Sequence, residues 1–121
     1  MSISVLLADD DAGFRRAVRR ISEKEKEFRL VGEAADGEEA LRLEQELRPE
    51  IVFMDITMPR LNGLEATRRI KARRPQVKVI ILTAHEEEAY RKAATESGAD
   101  GFVLKKSILS DLNSTVRRKH A

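Results

Sequence analysis

Short apolar runs alternate with amphipathic stretches along this chain, and few folds accept that pattern. The runs are Ile3 to Ala8, Phe28 to Ala34, Ile51 to Met54, Val77 to Leu82 and Gly101 to Leu104. Each is bounded by polar or turn-forming residues and most are rich in Val, Ile, Leu or Phe, as buried strands are. Between the runs, apolar residues recur at helical spacing. Phe14, Val18 and Ile21 mark the first helix, Ala40, Leu43 and Leu47 the second, and Leu64, Thr67 and Ile70 the third. Ala89, Ala93 and Ala94 mark the fourth, and Leu109, Leu112 and Val116 the fifth. Pro49 and Pro75 fall where a helix must already have ended. Five strand–helix units with strands too uniformly apolar for a one-sided sheet predict an α/β fold, a parallel sheet covered on both faces. Right-handed crossovers leave few topologies for it. The chain has 121 residues, 41% of them hydrophobic, and no Pro/Gly/Ser-rich linker, so residues 1–121 are expected to form one domain with one core.

In such sheets ligands gather outside the carboxyl ends of the strands, at the point where strand order reverses. Asp9, Asp10 and Asp11 follow the first strand run, Asp55 the third, Thr83 the fourth and Lys105 the fifth. Acid, hydroxyl and ammonium groups are therefore expected on one rim. Two carboxylates about 5 Å apart repel by roughly 3 kcal/mol at an effective dielectric of 20. A chain that collects them there is expected to use them to hold a divalent cation. Carboxylates, a backbone carbonyl and water suit Mg²⁺, a hard ion that gives up its waters reluctantly. A carboxylate can also attack a phosphoryl group to form an acyl phosphate. That transfer needs positive charge on the phosphoryl oxygens more than elaborate covalent chemistry. A metal held by Asp10 and Asp55, with Lys105 opposite and Thr83 donating its hydroxyl, meets the requirement.

Other residues have plainer readings. Asp11 is expected to cap the first helix. Thr83 and Lys105, each taken alone, are a turn-satisfying strand end and a surface lysine; only beside the acids do they read as functional. His85 is expected to be exposed at the start of the fourth helix, and Asn62-Gly63 to form the turn entering the third. The basic pairs Arg15-Arg16, Arg19-Arg20, Arg68-Arg69 and Arg73-Arg74 are expected on solvated helix faces. The 23 basic and 21 acidic residues leave a net charge of only +2, and no basic run is interleaved with aromatics. Direct nucleic-acid binding is not expected, the less so because the chain ends with its fifth helix. Without cysteine there are no disulfides or thiolate metal sites. No basic leader or membrane-length apolar segment is present, so a soluble, cytoplasmic protein is expected.

The segments VLLADDD, VGEAADGEEAL, MDITMPRLNGLEATRRI, VIILTA and ADGFVLKKS resemble a response-regulator receiver domain of two-component signalling over essentially the full length. The resemblance is strongest to the NarL/FixJ class, whose members usually continue into a LuxR-type helix-turn-helix. It implies a doubly wound, flavodoxin-like (βα)5 sheet in strand order 2-1-3-4-5. It also implies that Asp55 accepts a phosphoryl group from a phosphohistidine on a sensor histidine kinase. Asp10, Asp55 and the backbone carbonyl of Thr57 match the protein ligands of Mg²⁺, with Asp9 acting through water. Thr83 and Lys105 match the groups that contact the phosphoryl oxygens, and Phe102 the aromatic switch position. The expected outcome is a switch that assists its own phosphorylation and slow dephosphorylation rather than an enzyme. It is expected to control a partner or a transcriptional output domain, with a homodimer formed on phosphorylation as a further partner state. One departure stands out: many receivers have proline after this lysine, whereas here it is Lys106. A cis bond before a non-proline residue costs about 3–4 kcal/mol, so a trans bond with an altered loop, or visible strain, is expected.

Two other functions fit less well. A haloacid-dehalogenase-type phosphohydrolase needs a second acid where this chain has Thr57, and there is no room for a cap. A flavodoxin-like electron carrier needs a hydroxyl- and amide-rich phosphate loop, which Asp9-Asp10-Asp11 would repel.

Overall fold

A computed structural model describes residues 2–121. Five strands, β1 (Ile3–Ala8), β2 (Phe28–Ala34), β3 (Ile51–Asp55), β4 (Lys78–Thr83) and β5 (Gly101–Leu104), form one parallel sheet in the order β2-β1-β3-β4-β5. The helices are α1 (Ala12–Glu23), α2 (Gly37–Leu47), α3 (Gly63–Arg73), α4 (Glu88–Glu96), the short α5 (Lys105–Ile108) and α6 (Leu112–His120). The expected topology is observed. Alternate strand residues serve opposite faces, as the pleat requires. Leu6, Val52, Met54, Val79 and Ile81 pack with Ala40 of α2, Ala66 and Ile70 of α3 and Ala94 of α4. Val5, Leu7, Phe53, Ile80 and Leu82 pack with Val18 of α1 and with Ile108, Leu112 and Val116.

Helix starts follow local side-chain chemistry. Asp11 accepts from the backbone N–H groups of Gly13 and Phe14 at 2.9 and 3.2 Å. Asp36 and Asn62 accept from those of Glu39 and Glu65 at 2.8 and 2.9 Å. Each satisfies an amide that the first helical turn would leave unpaired.

Three expected helix faces are corrected. On α2, Glu44 lies inside at 1% exposure, while Leu47 is 39% exposed, beside Gly32 of β2. Glu44 accepts from Arg73 at 3.0 Å and Arg74 at 2.7 Å, and Arg74 also donates to the carbonyl of Pro49. Arg74 is thus a buried-side partner rather than part of a solvated face. On α4, Ala89 is exposed, and the inward stripe runs through half-buried Tyr90, Ala94 and Ser97. The fifth helix is broken. The backbone N–H of Asp111 bonds back to Ile108, closing one turn before α6 begins. Ile108, Leu112 and Val116 then form the buried i, i+4, i+8 stripe, and Leu109 turns outward.

Candidate functional site

The register builds the site. Ala8 pairs with Met54, so Asp9 and Asp55 leave neighbouring strands at one level. Asp55 pairs with Leu82, one residue before Thr83, and Thr83 pairs with Leu104, one residue before Lys105. β1 and β3 flank the reversal of strand order, the position where open α/β sheets bind ligands.

Asp9 is fully buried and Asp55 is 6% exposed, whereas Asp10 is exposed. One oxygen from each of the three carboxylates lies within 4.8 Å of the others. Lys105 Nζ sits 2.7 Å from Asp9 Oδ2 and 3.4 Å from Asp55 Oδ2. Asp9 Oδ2 is buried with that ion pair beside it and no hydrogen bond of its own. Its other oxygen accepts the backbone N–H of Asp11 at 2.9 Å, and its carbonyl accepts from Arg15 at 2.6 Å. The ammonium of Lys105 also lies 5.1 Å from the centre of the Phe14 ring, within cation–π range.

These neighbours set the charges. Burial pushes the Asp55 carboxyl up to about 6, the charge of Asp9 adds to the rise, and Lys105 opposes it. Burial works to lower the Lys105 pKa, but the contact with Asp9 and the charges of Asp55 and Asp9 outweigh it and hold the ammonium above its ordinary value. Three hard oxygen donors, one lacking any hydrogen-bond partner, fit a cation such as Mg²⁺.

Other sequence-predicted residues surround this core. Thr83 is buried, and its hydroxyl accepts the backbone N–H of His85 at 3.0 Å. The turn-satisfying reading therefore holds in this state, and the hydroxyl proton remains available for donation. Thr57 is exposed in the loop after Asp55. Phe102 is half-buried with the Arg91 guanidinium 4.7 Å from its ring centre. His85 is exposed and stacks on Tyr90 at 4.5 Å. Among the described residues every peptide bond is trans. Lys105 and Lys106 open the helical turn α5, and Lys106 pairs with Glu86 at 2.6 Å.

Gly63 closes the loop behind Asp55. A Cβ there would collide with the backbone oxygen of Asp55, so only glycine lets α3 start this close to the strand end. Sequence reasoning missed the roles of Phe14 and Arg15. Both sit on a helix pattern that explained them otherwise, and their partners lie in other elements.

Known proteins align with this arrangement. The transcriptional regulatory protein DegU of Brevibacillus brevis is 41% identical over 115 residues, covering 95% of this chain and 49% of DegU. A LuxR-family two-component response regulator from an Aurantimonas species superposes with a TM-score of 0.90 at 36% identity, over 99% of this chain and 86% of that one. The signal receiver domain of the response regulator NarL from Mycobacterium tuberculosis gives 0.92 at 29% identity, over 98% and 96%. The chain spans about half the length of the curated relatives it matches. No helix among the described residues is long and apolar enough to cross a membrane. The response regulator receiver domain matches residues 5–117, and with the strand order and the rim carboxylates in agreement, the chain belongs to that family, on its NarL/FixJ side.

Proposed function

We propose that Asp55 is the phosphoacceptor of a two-component switch, with residues 1–121 forming one receiver domain. The observation that carries this reading is the meeting of Asp9, Asp10, Asp55 and Lys105 at the switch point of a receiver-family sheet. The Asp55 carboxylate attacks the phosphorus of a phosphohistidine on a sensor histidine kinase. A phosphorus–oxygen bond forms, the phosphorus–nitrogen bond breaks, and the freed imidazole takes a proton. Asp10, Asp55 and the Thr57 carbonyl would hold Mg²⁺, with Asp9 acting through water. When bound, the ion neutralises charge on the phosphoryl oxygens. Lys105 supplies a second positive charge from the opposite side, its ammonium form favoured by Asp9 and Asp55 despite burial. The same groups orient the water that slowly releases the phosphate.

After transfer, Thr83 donates its hydroxyl to a phosphoryl oxygen and Phe102 moves inward behind it. The output is transcriptional, in keeping with the regulatory relatives, which are about twice as long. DNA contact belongs to the remainder of such a regulator, a homodimer forms on phosphorylation, and the cytoplasm is the site of action.

The test is incubation with a small acyl-phosphate donor, with and without Mg²⁺, read by intact mass. A metal-dependent phosphoryl adduct that disappears in Asp55→Asn is expected. An equal yield in that variant would move the acceptor elsewhere.

A further inference from the structure

The loop leaving β3, residues 56–62, carries Thr57 two residues beyond Asp55 and has an anchor outside the site. Arg60 adopts a φ of 67°, a left-handed conformation that side chains other than glycine rarely take. From there its guanidinium reaches Asp36 at the start of α2, with Nε 2.9 Å and Nη2 2.5 Å from the same oxygen, Oδ2. Oδ1 of Asp36 is committed to the cap of α2. Glu39 completes the cap by accepting the Ala35 N–H at 2.8 Å. The Asp36 side chain is 9% exposed, so its charge is compensated by fixed partners rather than by water. Beside it, a Cβ on Gly37 would collide with the backbone oxygen of Leu61. The loop and α2 therefore touch backbone to backbone where the ion pair closes.

An exposed ion pair of a long side chain usually contributes little. Here the arginine accepts an unfavourable backbone to reach a carboxylate with little access to water. We infer that Arg60 is a positioning residue: its ion pair with Asp36 clamps loop 56–62 to α2, so that the Thr57 carbonyl is presented ready-placed to the divalent cation at Asp55. This rests on the metal site described under the proposed function and adds what holds its loop-borne ligand. A carbonyl on an unclamped loop must be ordered at the moment of binding, which weakens affinity without changing the ligands.

The test uses the full chain and Mg²⁺ alone, titrated by calorimetry, then Mg²⁺ with a small acyl-phosphate donor read by intact mass. Urea unfolding is measured alongside. Arg60→Gly accepts the left-handed backbone at no steric cost but removes the whole side chain and adds chain freedom, which Asp36→Asn, altering no loop residue, controls for. It is expected to raise the Mg²⁺ midpoint about tenfold, at the low end of what residues supporting a metal ligand contribute. Yield at saturating Mg²⁺ should recover, while the urea midpoint falls modestly because Asp36 loses the partner of its Oδ2. Arg60→Lys keeps the charge without the planar fork and should recover part of the affinity. Asp36→Asn keeps the cap and should match Arg60→Gly, with the double variant no weaker than either single one. An Arg60→Gly protein with the wild-type Mg²⁺ midpoint overturns the clamp, as does one that loses urea stability at an unchanged midpoint; both leave the metal site standing. A wild-type chain that takes up neither Mg²⁺ nor phosphoryl overturns the metal site and the clamp together.

Discussion

Asp55 sits at the end of a strand whose other residues are wholly apolar, and its environment makes its charge expensive. The carboxyl is pushed up to about 6, first by burial and then by Asp9, so between roughly pH 4 and 6 the folded state holds a proton that the unfolded state has released. Stability from this group is therefore present at low pH and lost as pH rises through that window. In metal-free solution Asp55→Asn should exceed the wild type in stability at pH 7 by about 1–2 kcal/mol, less than the full linkage because solvent screens the rim. The advantage should shrink towards zero near pH 4. Urea unfolding of both proteins across that range checks it, and a pH-independent difference would mean Asp55 is not the strained carboxylate. Saturating Mg²⁺ should reverse the ranking at pH 7, because the ion binds the ionised form.

Glu44 sets the arrangement of α2 against α3, since both arginines that neutralise it come from the end of α3. Removing one partner of a buried pair strands the other charge. Arg74→Ala should cost about 2–4 kcal/mol in urea unfolding, eased by the remaining Arg73. Glu44→Met should cost much less, because it removes the buried charge rather than exposing it. Equal losses in the two variants would contradict this.

The same contrast explains what could be read in advance. All five strands were legible because burial on both faces leaves uninterrupted apolar runs. The rim groups Asp9, Asp10, Asp55, Thr83 and Lys105 were legible because each interrupts or ends such a run. Leu47 and Ala89 were misplaced, and Glu44 was passed over, because helical periodicity gives a face only to within one position, and partners from other helices decide it. The break before α6 was hidden because Ile108 and Leu109 are equally apolar. Arg60 carries no signal in the sequence, and only its backbone and the distant Asp36 distinguish it.

In the molecule as a whole, phosphorylation must move a balance between two conformations. Taking it from 1:99 to 99:1 needs about 5.5 kcal/mol, whereas one charge-assisted hydrogen bond from Thr83 supplies roughly 1.5–3 kcal/mol. On the proposed mechanism, Lys105, Phe102 and dimer formation would share the work. A phosphorylated Thr83→Ala protein should therefore keep a partial shift, visible in its dimer fraction or in amide chemical shifts around Phe102. A switch fully off with phosphorylation intact would show that Thr83 acts alone. Every part of this scheme depends on where the phosphoryl group goes, and reductive trapping locates it directly. Borohydride reduces an aspartyl phosphate to homoserine with release of phosphate. Peptide mapping after reduction should find homoserine at residue 55 alone, and only when Mg²⁺ accompanied the donor. Homoserine at residue 9, 10 or 11, or a phosphoryl adduct that survives borohydride, would contradict the account.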